Sequence, residues 1–213
     1  KSTNDVAKAI GISSAINHLP AFTQDQTYAL AAIYPYVTQL ADGEWAYQAE
    51  VGYNFKKKTP LGGRYGMNIK ANFSYVRAID RQFYNTSDLI QKTNGYESKF
   101  FKWGDDTYYR SFDLVLTRKL SKAFKISLMY VNQLYNQTVV EGHGGSVHTN
   151  IYIADAKYQF SPKVTLRGEL QYMTTKQDQG DWAYGLLELS LAPHWMVSVS
   201  VMWNGGEPDL HYY

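Results

Sequence analysis

The stretch that decides the fold is Glu44–Lys56, EWAYQAEVGYNFK, in which apolar residues alternate with polar or small ones. One parity carries Trp45, Tyr47, Ala49, Val51, Tyr53 and Phe55. Because side chains of a β-strand point alternately to its two faces, this stretch predicts a strand with one apolar face. Aromatic rings stand at both ends of that face, which is typical of a strand that crosses a lipid bilayer.

The composition agrees with such a strand and excludes several other classes of protein. No run of about 18 apolar residues occurs in the 213, which excludes a transmembrane helix. The absence of cysteine excludes a disulfide framework, a cysteine zinc site and a thiol nucleophile. The net charge is +2 with both signs intermixed, so we expect no nucleic-acid partner.

Similar alternation recurs along the chain and predicts an all-β, antiparallel transmembrane β-barrel of the outer-membrane type. Ten strands are expected at residues 6–18, 27–39, 44–56, 65–77, 107–118, 122–135, 147–160, 163–175, 181–192 and 194–204. All belong to a single β-barrel domain over residues 1–213. Short turns alternate with longer segments, and the longest segment, 79–106, is predicted to be an extracellular loop.

The charges of two neighbouring strands predict their register. Asp155 and Lys157 lie on the inward parity of one strand, and Arg167 and Glu169 lie on that of the next. A turn centred on Ser161 would place Asp155 opposite Arg167, whereas a shifted turn would oppose like charges, which sheets disfavour. We therefore expect Asp155 to pair with Arg167.

The inward parity also supplies the candidate functional residues of the barrel. The charged side chains expected to face the lumen are Glu50, Lys70, Asp113, Asp155, Lys157, Arg167, Glu169 and Glu188. They could line a polar pathway for solutes or form a salt-bridged network that fills the interior. Their mixed signs predict no strong preference for anions or cations.

A second candidate site is the aromatic part of the long loop. Its members are Phe83, Tyr84, Tyr96, Phe100, Phe101 and Trp103. Exposed rings at this density indicate either a binding surface or a loop folded into the lumen.

Catalytic groups are sparse, although two rim segments resemble those of barrel hydrolases. The residue types of an outer-membrane phospholipase occur together at His143, Ser146, His148 and Asn150. The omptin proteases are resembled by the pair Asp105-Asp106 together with Asp209 and His211. The spacing supports neither arrangement, and Gly144-Gly145 is typical of a hairpin loop. We expect no enzyme activity, no cofactor and no metal site.

Two stretches carry a family resemblance. Tyr28–Gln39, YALAAIYPYVTQ, and Pro60–Gly66, PLGGRYG, resemble a family of uncharacterised outer-membrane β-barrel proteins from the Bacteroidota. The resemblance implies a barrel in the outer membrane and no particular activity. Since members of that family are longer, and Gly205, Gly206 and Pro208 interrupt the last strand, we expect the chain to be part of a larger barrel.

The sequence thus predicts a protein of the bacterial outer membrane that contacts outer-membrane lipid. The first functional hypothesis is a non-enzymatic pore or transport channel for small solutes. The alternative is a structural or interaction subunit of a larger complex with other envelope proteins. A phospholipase- or omptin-like hydrolase ranks last.

Overall fold

The computed structural model describes residues 28–36, 43–83, 96–206 and 211–212, and almost all of its regular structure is strand. The strands are β1 (Glu44–Phe55), β2 (Met67–Ile79), β3 (Gln82–Phe83), β4 (Tyr96–Glu97), β5 (Trp103–Lys119), β6 (Phe124–Asn136), β7 (Ser146–Ser161), β8 (Val164–Thr174), β9 (Trp182–Leu191), β10 (Trp195–Asn204) and β11 (His211–Tyr212). One short helix, α1 (Gln137–Glu141), follows β6.

The eight long strands form one antiparallel sheet in the order β1-β2-β5-β6-β7-β8-β9-β10. The two-residue strand β11 pairs with the end of β10, while β3 and β4 pair only with each other. Strands β1 and β10 do not pair with each other in the described part of the chain, so the sheet is not closed into a barrel. The prediction of an all-β antiparallel fold is confirmed.

The sheet has eight long strands rather than the ten predicted. The predicted strand at 6–18 lies outside the described residues. The prediction of a strand at 27–39 is wrong over residues 28–36, where the chain forms turns. The N–H of Ala32 donates to the carbonyl of Tyr28 at 3.1 Å, and that of Ile33 donates to Leu30 at 3.3 Å. Apolar residues occupy both parities of this stretch, so it can bury more than one side.

The long connection between β2 and β5 is shorter than the predicted loop of 79–106. Strand β2 continues to Ile79, and β5 already begins at Trp103. The small β3–β4 pair stands at the base of the connection, with Gln82 opposite Glu97.

No helix among the described residues is long and apolar enough to cross a membrane.

The two faces of the sheet differ in what covers them. One face, called here the core face, carries the buried side chains, among them Val131, Ile151 and Met173, which lie opposite one another on β6, β7 and β8. The other face, called the outer face, leaves large apolar side chains exposed, such as Leu170 at 68% and Val199 at 66%. The core face also buries many polar groups: Ser74, Ser111, Asp113, Gln133, Thr149, Glu169 and Gln171.

Residues 28–36, called here the inner segment, pack on the core face. Leu30, Ala31, Tyr34 and Tyr36 are all buried and belong to the same cluster as the core side chains of β2, β5, β6, β7, β8 and β9. A single sheet face covered only by solvent could not exclude water from this cluster. The inner segment therefore supplies the second layer of the core.

The β7–β8 register differs from the prediction of Asp155 opposite Arg167, which is wrong. Lys157 lies opposite Arg167, and Asp155 lies opposite Glu169. The turn begins at Ser161. Its hydroxyl accepts hydrogen bonds from the N–H groups of Lys163 and Val164, at 3.3 and 3.1 Å. Between Gln159 and Ser161 the pairing of β7 with β8 changes register, so the strands are paired about a different centre from the one predicted.

Candidate functional site

Hydrogen bonds attach the inner segment to the core face and to the turn after β8. The Leu30 N–H donates to Gln171 Oε1 at 2.9 Å, and Gln133 Nε2 donates to the Tyr34 carbonyl at 3.4 Å. The Tyr34 hydroxyl donates to Asp178 Oδ2 at 2.8 Å, in the turn after β8. Gln133 also donates to the Tyr109 hydroxyl at 2.9 Å. Buried glutamines on β6 and β8 therefore satisfy backbone groups that a one-turn segment cannot satisfy itself.

Two tyrosines of the inner segment are held in the protonated form. Burial, followed by the hydrogen bond to Asp178, raises the pKa of Tyr34 well above its ordinary value. Burial and the hydrogen bond to Glu44 raise the pKa of Tyr36 in the same direction. The Tyr36 ring also stacks on Tyr109, with centroids 5.5 Å apart. Both phenols act as neutral donors that fix the segment to the sheet.

A group of three carboxylates converges on Arg167 beside the inner segment. Arg167 Nε lies 2.6 Å from Asp155 Oδ2, and Nη1 lies 3.9 Å from Glu188 Oε2. Nη2 also pairs with Glu169, two residues along the same strand. Gln171 donates to Glu169 as well, so a continuous chain of polar contacts joins Arg167 to the Leu30 backbone. Arg167 therefore separates the Asp155 and Glu169 carboxylates that the register places opposite each other.

The other predicted lumen residues share the core face but do not join this group. Lys70 Nζ pairs with Glu50 Oε1 at 3.2 Å. Asp113 is 4% exposed and accepts from Asn72 Nδ2 at 2.8 Å and from the Ser111 hydroxyl at 2.8 Å.

The eighth predicted lumen residue, Lys157, is exposed and forms no ion pair among the described residues. The structure thus divides the predicted set into a pair, a buried carboxylate, a group of four and a free lysine.

Loop aromatics pack against the aromatic side chains of β1, at one edge of the sheet. Trp45 stacks on Phe101 with centroids 5.6 Å apart, and its Nε1 donates to the Lys102 carbonyl at 3.3 Å. Trp103 Nε1 donates to the Tyr47 hydroxyl at 2.8 Å. Phe100 is 81% exposed at the edge of this aromatic cluster.

Two of the remaining predicted loop aromatics belong to the short strands β3 and β4. Phe83 and Tyr96 are partners in the β3–β4 pair, and Tyr84 lies outside the described residues.

The hydrolase candidates do not form a catalytic arrangement within the described residues. Ser146 and His148 are exposed, and no hydrogen bond joins them. His143 Nε2 lies 3.4 Å from Oε2 of Glu141, the last residue of α1. Asp209 lies outside the described residues. Within the described ranges, no three histidine or carboxylate side chains are arranged so that they could hold a metal ion.

Sequence reasoning missed the residues that hold the inner segment. Gln133 lies between Val131 and Tyr135 on the core-face parity of β6, and Gln171 lies between Glu169 and Met173 on that of β8; both amides are buried. That position is a usable signal, because a buried amide requires a partner from another element. Nothing local identifies the partner, since Leu30 lies 141 residues from Gln171 in sequence.

Comparison with known proteins gives a family assignment but no functional precedent. Neither the curated proteins nor the solved structures contain a match to this chain. One protein-family model matches residues 2–213, and its description is a family of unknown function, DUF6029. The match covers nearly the whole sequence, and the chain belongs to this family.

Proposed function

We propose that this protein is a non-enzymatic channel of the bacterial outer membrane. Its sheet forms part of the wall of a β-barrel, and the inner segment narrows the interior of that barrel. The observation that carries the proposal is the reversed polarity of the sheet. Its outer face exposes large aliphatic and aromatic side chains, whereas its core face buries amides, hydroxyls and carboxylates among the apolar side chains. Soluble monomers rarely expose a continuous apolar surface of that extent.

The dimensions of the outer face fit a bilayer. On β10 the outer-face residues are Trp195, Val197, Val199, Val201 and Trp203. The two tryptophans lie about 26 Å apart along the strand, at about 3.3 Å per residue. A strand tilted about 45° crosses a bilayer with about 9–11 residues, and β10 has 10 residues with a tryptophan near each end, as in the two aromatic girdles of an outer-membrane barrel. Outer-membrane lipid is therefore the partner proposed for this face.

The inner segment determines how open the interior would be. An eight-stranded barrel is about wide enough to be filled by its own side chains. The core face here also accommodates residues 28–36, so a barrel built on this sheet needs further strands to close. The inner segment bonds Gln133 and Gln171 on the core face and Asp178 in the turn after β8, and we propose that it restricts flow to small solutes.

A matched pair of substitutions tests the membrane assignment. Val199 and Ser200 are neighbours at the middle of β10, on the outer and core faces respectively. Val199→Arg would place a charge in lipid, which costs about 2–4 kcal/mol near the bilayer midplane. Ser200→Arg should cost much less, because its side chain points to the polar interior. The measurement is the urea midpoint for unfolding from phospholipid vesicles.

Two outcomes would contradict the proposal. Equal midpoints for Val199→Arg and Ser200→Arg would remove the membrane assignment, because both faces would then meet water. A protein that inserts normally but gives no conductance in planar bilayers, even after residues 28–36 are deleted, would remove the channel while keeping the membrane location.

The open edges of the sheet favour a second candidate, a subunit of a larger envelope complex. Strand β1 has no partner on one side among the described residues, and β10 is paired on that side only at Met202 and Trp203. Phe100 and Phe101 add exposed aromatic area near β1. Cross-linking in native membranes distinguishes the two candidates, since a stable heteromeric product is expected only for a subunit.

A further inference from the structure

Four basic residues stand directly opposite one another on four neighbouring strands. Lys119 on β5 is paired with Lys125 on β6, Lys125 with Lys157 on β7, and Lys157 with Arg167 on β8. Adjacent strands lie about 4.8 Å apart, so the four Cα atoms span about 15 Å. All four belong to the core face, at the end of the sheet where the connections are short. The three lysines are called here the lysine row.

This arrangement is unfavourable for the sheet unless something else compensates it. Like charges placed directly opposite each other are destabilising. Arg167 is compensated by the three carboxylates around it. The lysine row is not, because Lys119, Lys125 and Lys157 are exposed and form no ion pair among the described residues.

The nearest carboxylates are unable to serve the row. Asp155 lies two residues from Lys157 on the same strand, but its Oδ2 is held by Arg167 at 2.6 Å. Glu169 bonds both Arg167 and Gln171. Three positive charges therefore face the solvent on one side of the sheet. The neighbouring carboxylates already bond other side chains and do not neutralise them.

From this geometry we propose that the lysine row binds soluble multivalent oxyanions, such as phosphorylated or polyphosphate-like solutes, at the short-turn end of the core face. A chain of phosphate groups supplies several negative charges, so it can contact neighbouring lysines together. The core face is turned away from the apolar outer face, so the site takes an anion from solution rather than a lipid headgroup. This inference rests on the proposed channel function and adds to it the class of solute that binds at one mouth of the channel.

Binding of inorganic tripolyphosphate to the full chain in detergent micelles tests the proposal by calorimetry. Lys125→Gln and Lys157→Gln should each weaken binding about tenfold, as expected for removing one charge near a partly exposed anion. Lys176→Gln is the matched control, because Lys176 is exposed in the turn after β8, at the opposite end of the sheet. It should leave the affinity within about twofold of the original, since charges beyond a Debye length are screened.

Stability separates a binding role from a structural one. Removing one charge from the lysine row relieves repulsion, so Lys125→Gln should leave the urea midpoint unchanged or raise it while binding falls. A lowered midpoint together with weaker binding would overturn the proposal, as would equal weakening by Lys176→Gln. No measurable binding by the unmodified chain would also overturn it.

The source of the anion and the channel itself are tested separately. Vesicles of phosphatidylglycerol should not compete with tripolyphosphate, whereas competition would assign the row to lipid and overturn the soluble ligand. Calorimetry needs no conductance. A chain that binds tripolyphosphate but forms no channel would refute only the proposed function, and a conducting chain that does not bind it would refute only this inference.

Discussion

Leu30→Ala should release the inner segment while leaving the sheet intact. Leu30 is 0% exposed and lies in the cluster shared by the segment and the core face. Truncating a fully buried leucine to alanine costs about 2–5 kcal/mol. The segment is a single turn with few hydrogen bonds to the sheet, so this cost should fall on its docking. A loss of about 3 kcal/mol would raise the undocked population about 100-fold.

Hydrogen exchange in detergent micelles measures this population directly. The amide of residue 30 donates to Gln171 Oε1 at 2.9 Å, so it exchanges only when the segment leaves the core face. Its protection should fall about 100-fold in the variant, while the amides of β6 and β7 keep theirs. Leu120→Ala is the matched control, since Leu120 is 50% exposed in the β5–β6 turn.

Two results would refute this reasoning. Unchanged protection at residue 30 would mean that the leucine does not hold the segment in place. An equal loss of protection in β6 and β7 would mean that the segment and the sheet unfold as one unit, and the segment could not then regulate the interior separately. In either case the proposed narrowing of a channel by residues 28–36 would lose its physical basis.

Two further predictions concern charged groups of the site. Arg167→Met leaves its three carboxylates without a cation and should lower the free energy of unfolding by about 1–3 kcal/mol, measured as a lower urea midpoint. Adding Asp155→Asn to the same chain should restore part of that loss. The raised pKa of Tyr34 predicts that its contribution to docking is complete below pH 10.0, its ordinary pKa, and is lost as the pH rises through the folded value. The difference in tyrosinate absorbance between the original chain and Tyr34→Phe should therefore develop only above that pH, and titration at or below it would contradict the docked geometry.

The regular strands could be predicted from the sequence because their pattern is local. The sequence predicts a strand at 194–204, and β10 spans Trp195–Asn204. It predicts another at 122–135, and β6 spans Phe124–Asn136. In each case one face needs apolar side chains at every second position, so the period alone identifies the strand. The pattern also separates Val199 from Ser200, although it does not say which strands meet at the edges of the sheet.

The inner segment could not be predicted in the same way, because its conformation depends on distant residues. The local pattern of residues 28–36 predicts a strand when only neighbouring residues are considered. Their backbone groups instead find partners in Gln171 and Gln133, which lie 141 and 99 residues away from the bonded residues. Tertiary contacts of this kind override weak local preference, since apolar residues occupy both parities of the stretch.

The wrong register prediction has a physical cause that also explains the lysine row. It assumed that an ion pair requires residues directly opposite each other, whereas Arg167 is long enough to reach Asp155 diagonally. Arg167 thereby neutralises part of an acidic group and leaves Lys157 opposite another cation. The near balance of the whole chain, at +2, conceals this separation of charge into neighbouring rows. Counting signs predicts no ionic preference, but order along the strands means that an anion approaching from the short-turn end meets lysines first.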